Sequence, residues 1–317
     1  MSRQELLEAV QAMLARSGFD VSERCDLRPV SFDLVARRGR ELVIVKTLGN
    51  VDALTEPIAG EIKMLCKFLH ARPIVVGLRA GAGPLEPGVV YSRHDIPIVR
   101  PETLETFVAE GQAPMVYAAP GGFYVHLDAE ALRRAREHAR VSLGAMAQVA
   151  GVSRRAIQMY EEGMSATIDA AMRLEEFLQS DLIRPLDPFE TFDPDLFTPP
   201  GPAAGKDPTE ALVLRLLQGM GYEVHSTRRS PFNAVTTPEG GDPMLTGIGE
   251  DSPQLRRRAR IVTSVSRVTQ HPGFFVIERT TKTTIEGMPV VSRTELRRLD
   301  DPDAILQLIL ERQERTD

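Results

Sequence analysis

The chain has 317 residues, 42% hydrophobic and 26% charged, enough for about two or three domains that each bury a core. Its two cysteines (Cys25 and Cys66) make no disulfide framework, no CxxC or HExxH spacing suggests zinc, and no apolar run approaches the ~20 residues of a membrane span. The net charge of −6 weighs against a nucleic-acid partner for the chain as a whole, so any such surface must be a local basic patch.

Residues 1–118 read as a mixed α/β domain. The opening Met1-Ser2-Arg3-Gln4-Glu5 lacks the apolar stretch of a secretion leader, which points to a reduced, cytoplasmic chain. Ser2 followed by Glu5 is a capping-box spacing, and Leu6, Val10 and Leu14 then share one helical face until Gly18. Strands are expected at 19–22, 32–36 and 41–47, a helix at 58–69, strands at 74–78 and 96–99, and a short helix from Pro101.

Residues 126–182 read as all-α and hold the basic patch. Between Glu130 and Tyr160 stand six arginines (133, 134, 136, 140, 154 and 155) against two glutamates, a local charge of +4. A first helix starts at Asp128, a suitable N-cap, with Leu132, Ala135 and Ala139 turned inward. Ser142 caps a second helix with Met146, Ala147 and Ala150 inside. Gly151 takes the turn, Val152 plugs the core, and Ser153 caps a third helix that holds Ile157 inward and ends near 161–163. A further helix is expected from Ile168 to Leu178.

Residues 183–208 form a proline-rich linker. From Asp181 to Pro208 there are seven prolines, which block helix interiors and sheet ladders. The spacing of Leu186, Phe189, Phe192 and Phe197 favours docking over free flexibility. Residues 209–317 then repeat the opening pattern. A helix near 210–220 is closed by Gly221, and Pro231-Phe232-Asn233-Ala234-Val235 lines up with Ser31-Phe32-Asp33-Leu34-Val35. Gly273-Phe274-Phe275-Val276-Ile277 lines up with Pro73-Ile74-Val75-Val76-Gly77, and Met288-Pro289-Val290-Val291 with Ile96-Pro97-Ile98-Val99.

The series Ser142, Met146-Ala147, Gly151-Val152-Ser153, Ile157 and Glu161-Glu162-Gly163 resembles the Cro/C1 type of helix-turn-helix. The resemblance implies that the third helix enters the major groove of double-stranded DNA. Arg154, Arg155, Gln158 and Met159 would then face the bases, while Ser142 and Ser153 would hold phosphates. Leu143 departs from the glutamine that often follows the position of Ser142.

The N-terminal order of helix, strand, Phe32-Asp33, and a strand ending in Lys46 resembles the restriction-endonuclease (PD-(D/E)xK) fold. In that family an aspartate and an acid two residues before the lysine hold Mg²⁺. Here Asp33 and Lys46 are present, but the second acid is replaced by Ile44; Glu61 on the next helix is a candidate substitute. The second copy has Asn233 for the aspartate and Thr246-Gly247-Ile248 in the strand. Its Arg256, Arg257, Arg258 and Arg260 could face a DNA backbone or merely solvent.

With Leu182-Ile183-Arg184-Pro185-Leu186-Asp187-Pro188-Phe189 after the helical domain, the whole resembles an archaeal family of helix-turn-helix transcriptional regulators. The expected fold is two restriction-endonuclease-like α/β domains flanking the Cro/C1-type domain. The expected function is sequence-specific DNA binding by a homodimer, without catalysis, metal or other cofactor; no membrane contact is expected, and no effector is indicated. The alternatives are a Mg²⁺-dependent nuclease targeted by the helix-turn-helix and a protein-assembly module.

Overall fold

The computed structural model describes residues 1–27, 30–81, 83–190, 192–199, 205, 207–299 and 301–314. Of the expected linker, residues 191, 200–204 and 206 lie outside the described residues. The chain forms two compact units. One comprises Met1–Thr47, Ala53–Ile74 and Phe192–Asp317; the other comprises Leu48–Asp52 and Val75–Thr191.

The first unit opens with the helix Arg3–Arg16, started by a complete Ser2/Glu5 capping box, and buries Leu6, Leu7, Val10, Met13 and Leu14. Strands Asp20–Val21, Leu34–Arg38 and Glu41–Asn50 follow as an antiparallel meander with Leu34 opposite Val45. Leu42 to Val45 are buried without alternation, as expected for a strand covered on both faces. Helix Glu56–Phe68 then buries Ala59, Ile62 and Leu65.

The second half of this unit repeats that order: helix Pro208–Gly219, strands Tyr222–Ser226, Ala234–Pro238 and Met244–Gly249, and helix Pro253–Thr269. Gly273–Ile277 then runs parallel to Met244–Gly249 and to Met288–Ser292. The repeat holds at single-residue level. The amide of Asp33 donates to the carbonyl of Val45, and that of Asn233 to the carbonyl of Thr246. Likewise Cys25 donates to the Asp33 carbonyl, and Thr227 to the Asn233 carbonyl.

The two copies clasp each other. Arg267 pairs with Asp20, Arg257 with Asp26, and the amide of Glu23 donates to Ser264 Oγ at 2.8 Å. Arg37 donates to the carbonyls of Val268 and Thr269, and Phe68 stacks on His225 with ring centroids 3.6 Å apart.

In the second unit, strand Arg72–Ala80 runs parallel to Ile96–Val99, with Val75 opposite Ile98. Val89–Arg93 lies antiparallel to Ile96–Val99 and parallel to Val116–Ala119, which forms a hairpin with Gly122–Leu127. Val89–Arg93 and the hairpin were absent from the expected elements. Their Tyr, Gly and Ala residues give little period-2 contrast. Helix Pro101–Glu110 closes on Gly111 at φ 70°, in the left-handed region.

The hairpin joins the sheet to the helical region. Ala166–Thr167 and Ile183–Arg184 both pair with Gly122–Leu127, and Val125 and Leu127 enter the helical core with Leu132, Met146, Ile157 and Leu174. Among the described residues, no helix is long and apolar enough to cross a membrane.

Candidate nucleic-acid interface

The helices of the basic segment are Ala129–His138, Leu143–Ala150, Arg154–Tyr160 and Ile168–Leu178. Each of the first three begins on the expected cap. Asp128 accepts from the Ala131 amide at 2.9 Å, Ser142 from Ala145 at 3.2 Å and Ser153 from Ala156 at 3.1 Å. Gly151 sits at φ 71°, where a side chain would be strained. Met146, Ala147, Ala150, Ile157 and Tyr160 are buried.

Two inward assignments need correction. Ala139 is exposed, because the first helix ends at His138 and its axis does not carry residue 139 over the core. Ala135 is only half-buried, whereas Val152, also half-buried, packs against the core as expected.

The basic patch is smaller than the count of arginines implies. Arg136 grips the Glu161 carboxylate with two bonds, of 2.5 and 3.1 Å, with the side chains only 16% and 8% exposed. The Glu161 hydrogen bond holds the Arg136 guanidinium's pKa above its ordinary value. Arg133 donates to the Glu161 carbonyl at 3.0 Å, and Arg134 pairs with Glu130 at 3.2 Å. In the sequence Glu161 marks the end of the third helix, but its ion pair carries no local signal, since its partners lie a helix and a turn away.

What remains outward is Arg140, Arg154 and Arg155, all exposed and in no ion pair among the described residues. Gln158 is exposed beside them and donates to Glu162 at 3.3 Å; Met159 is 37% exposed, in contrast to the buried Ile157 and Tyr160. Ser142 and Ser153 are also exposed. Each uses its oxygen as a cap, which leaves the hydroxyl hydrogen able to donate elsewhere. The helix therefore presents two guanidiniums, an amide and a thioether to solvent, a set that matches base edges and phosphates.

The arginines of Pro253–Thr269 are otherwise engaged. Arg256 pairs with Asp251, Arg257 with Asp26 and Arg260 with Glu286, while Arg258 is turned inward to Asn233.

The nuclease-like pocket of the first copy gathers Asp33, Lys46, Thr47 and Arg3. Asp33 is fully buried, and both its oxygens are taken. One meets the Arg3 guanidinium and Lys46 Nζ, the latter at 3.4 Å; the other accepts from Thr47 N at 2.7 Å and Thr47 Oγ1 at 3.0 Å. Ile44 is buried hydrocarbon. Glu61 accepts from the amides of Arg228 and Arg229 and from Ser230 Oγ and Ser31 Oγ, so it braces the second copy. A divalent cation needs several free oxygen donors, and this set does not fit one.

A family model described as a PD-(D/E)XK superfamily domain matches residues 3–114, and one described as a helix-turn-helix matches residues 132–183. A relative from Halobacterium salinarum is 42% identical over 98% of this chain and 98% of its own. One from Halorubrum lacusprofundi is 41% identical, again over 98% of each chain. One from Methanocella arvoryzae is 37% identical over 99% of this chain and 98% of its own. All three bear the name "Putative HTH-type transcriptional regulatory protein". No solved structure matches the chain.

Proposed function

The chain belongs to this archaeal family of HTH-type transcriptional regulatory proteins, and from that premise we propose that it reads the major groove of double-stranded DNA with the helix Arg154–Tyr160. The observation that carries the proposal is the outer face of that helix. Arg154 and Arg155 are exposed and outside any described ion pair, while the helix's far end is fastened through Glu161. In this reading Arg154 and Arg155 fork onto guanine edges, Gln158 addresses adenine, Met159 touches a thymine methyl, and Ser142 and Ser153 hold phosphates.

The reading domain spans 126–182, between α/β domains at 1–118 and 209–317 and ahead of a linker at 183–208. The protein acts in the cytoplasm as a homodimer, because one such unit reads a single half-site. It binds without cutting: the saturated oxygens of Asp33 support this over a Mg²⁺-dependent nuclease.

The test is binding of the full chain to genomic fragments across a salt series. Each bidentate arginine–base pair contributes about 1–3 kcal/mol of discrimination. Arg154→Ala with Arg155→Ala should therefore weaken binding at least tenfold and relax sequence preference. Unchanged affinity and preference would refute the assignment, and cleavage that Asp33→Ala abolishes would refute the non-cutting role.

A further inference from the structure

We propose that in each nuclease-like copy an arginine has taken over the charge of the divalent cation expected in this superfamily, converting the former metal pocket into a metal-independent keystone of the fold. In the first copy the cation is Arg3, from the opening helix, set directly on Asp33. The guanidinium, Lys46 and two Thr47 donors satisfy a carboxylate that would otherwise be buried with an unbalanced charge. Cys25 cannot replace the missing acid, because burial pushes its thiol well above its ordinary pKa.

The second copy pairs its polar groups by a different route. Asn233 stands where Asp33 does, and its Oδ1 accepts from Ile248 N at 2.8 Å and from Arg258. Its amide donates at 2.9 Å to Glu210, a nearly fully buried carboxylate on the opening helix of that copy. Arg3 and Glu210 each lie three residues before the first matching core residue of their helix, Leu6 and Val213. The helix therefore contributes a cation in one copy and an anion in the other. The room for a lysine is also gone. A Cβ on Gly247, the counterpart of Lys46, would lie 2.3 Å from the Phe275 ring. Two copies that keep the pocket polar and buried, yet draw its arginine and its acid from different elements, share a need for side-chain pairing and not for a metal.

Thermal unfolding of the full chain in EDTA and in millimolar Mg²⁺ or Mn²⁺ tests this. The wild type should melt at the same temperature in both, Arg3→Ala should melt several degrees lower, and Arg3→Lys should fall between. Should Arg3→Ala fail to fold, the triple change Arg3→Met, Lys46→Met and Asp33→Asn, which removes every charge on the pocket, should recover most of the stability. Three results would overturn the proposal: a metal-dependent rise in the wild type that Asp33→Asn abolishes, an Arg3→Ala variant as stable as wild type, or a charge-free triple variant no better than Arg3→Ala. None of these bears on the reading helix, which contains none of the three residues.

Discussion

Replacing Glu161 with alanine removes a carboxylate that is 8% exposed and strands the Arg136 guanidinium, itself only 16% exposed. Breaking a buried pair from one side costs about 3–5 kcal/mol, because the remaining charge stays desolvated. Arg136 retains some solvent and a weak 3.6 Å contact to Glu137, so the lower end, about 3 kcal/mol, is expected. At about 4–8 °C per kcal/mol for a domain this small, that is a drop of roughly 12–24 °C in the melting transition of the helical region. Differential scanning calorimetry would measure it, and amide exchange should show residues 143–163 opening first. Arg136→Met with Glu161→Leu should regain most of the loss, since no lone charge remains. If Glu161→Ala costs less than about 0.5 kcal/mol, the pair behaves as an exposed surface bridge and the reasoning fails.

Gly151→Ala should destabilise the same region by about 1–2 kcal/mol, from the left-handed φ of 71°. A Cβ there would also lie 2.8 Å from Arg173 Nη1, and a melting curve coincident with wild type would contradict the strain. Acidification should weaken the clasp between the two α/β copies. Burial lowers the pKa of His225, against the opposing pull of Glu223; it also lowers that of His271, with Arg37 and His70 adding to the effect and the Leu69 carbonyl and Asp242 opposing it. Folding lowers the proton affinity of both, so the unfolded chain binds more protons below its histidine pKa of about 6.5. Stability is therefore full above that pH and falls as pH drops through the lowered folded values. Melting temperatures from pH 8 to 5 should decline more steeply in wild type than in His225→Asn with His271→Asn; parallel profiles would exclude these histidines.

The parts of the fold legible in the sequence were those written in local code. Ser2, Asp128, Ser142 and Ser153 announce helix starts because a cap and its amide lie three residues apart. The run Leu42 to Val45 announces a buried strand because burial on both faces removes alternation. Strand Val89–Arg93 and the hairpin 116–127 lacked such code. Tyr91, Tyr117 and Tyr124 are half-buried, and the hairpin's identity depends on Ala166 and Ile183, which pair with it from far along the chain.

The same distinction separates the site residues. Arg154 and Arg155 follow from the phase of a helix whose inner residue is Ile157, a strictly local inference. Glu161 and Glu61 take their meaning from partners distant in the chain, Arg136 for one and Arg228 to Ser230 for the other, and no spacing rule connects them. The duplication offers one way past that limit. Because Asp33 and Asn233 occupy the same rung of the same meander, the environment of one forecasts that of the other: a buried polar head, an amide donor two residues past the facing strand position, and an arginine supplying charge. What it could not forecast is which helix the arginine comes from. Each pocket takes an arginine onto its buried polar head, and either neighbouring helix can supply it, Arg3–Arg16 in one copy and Pro253–Thr269 in the other.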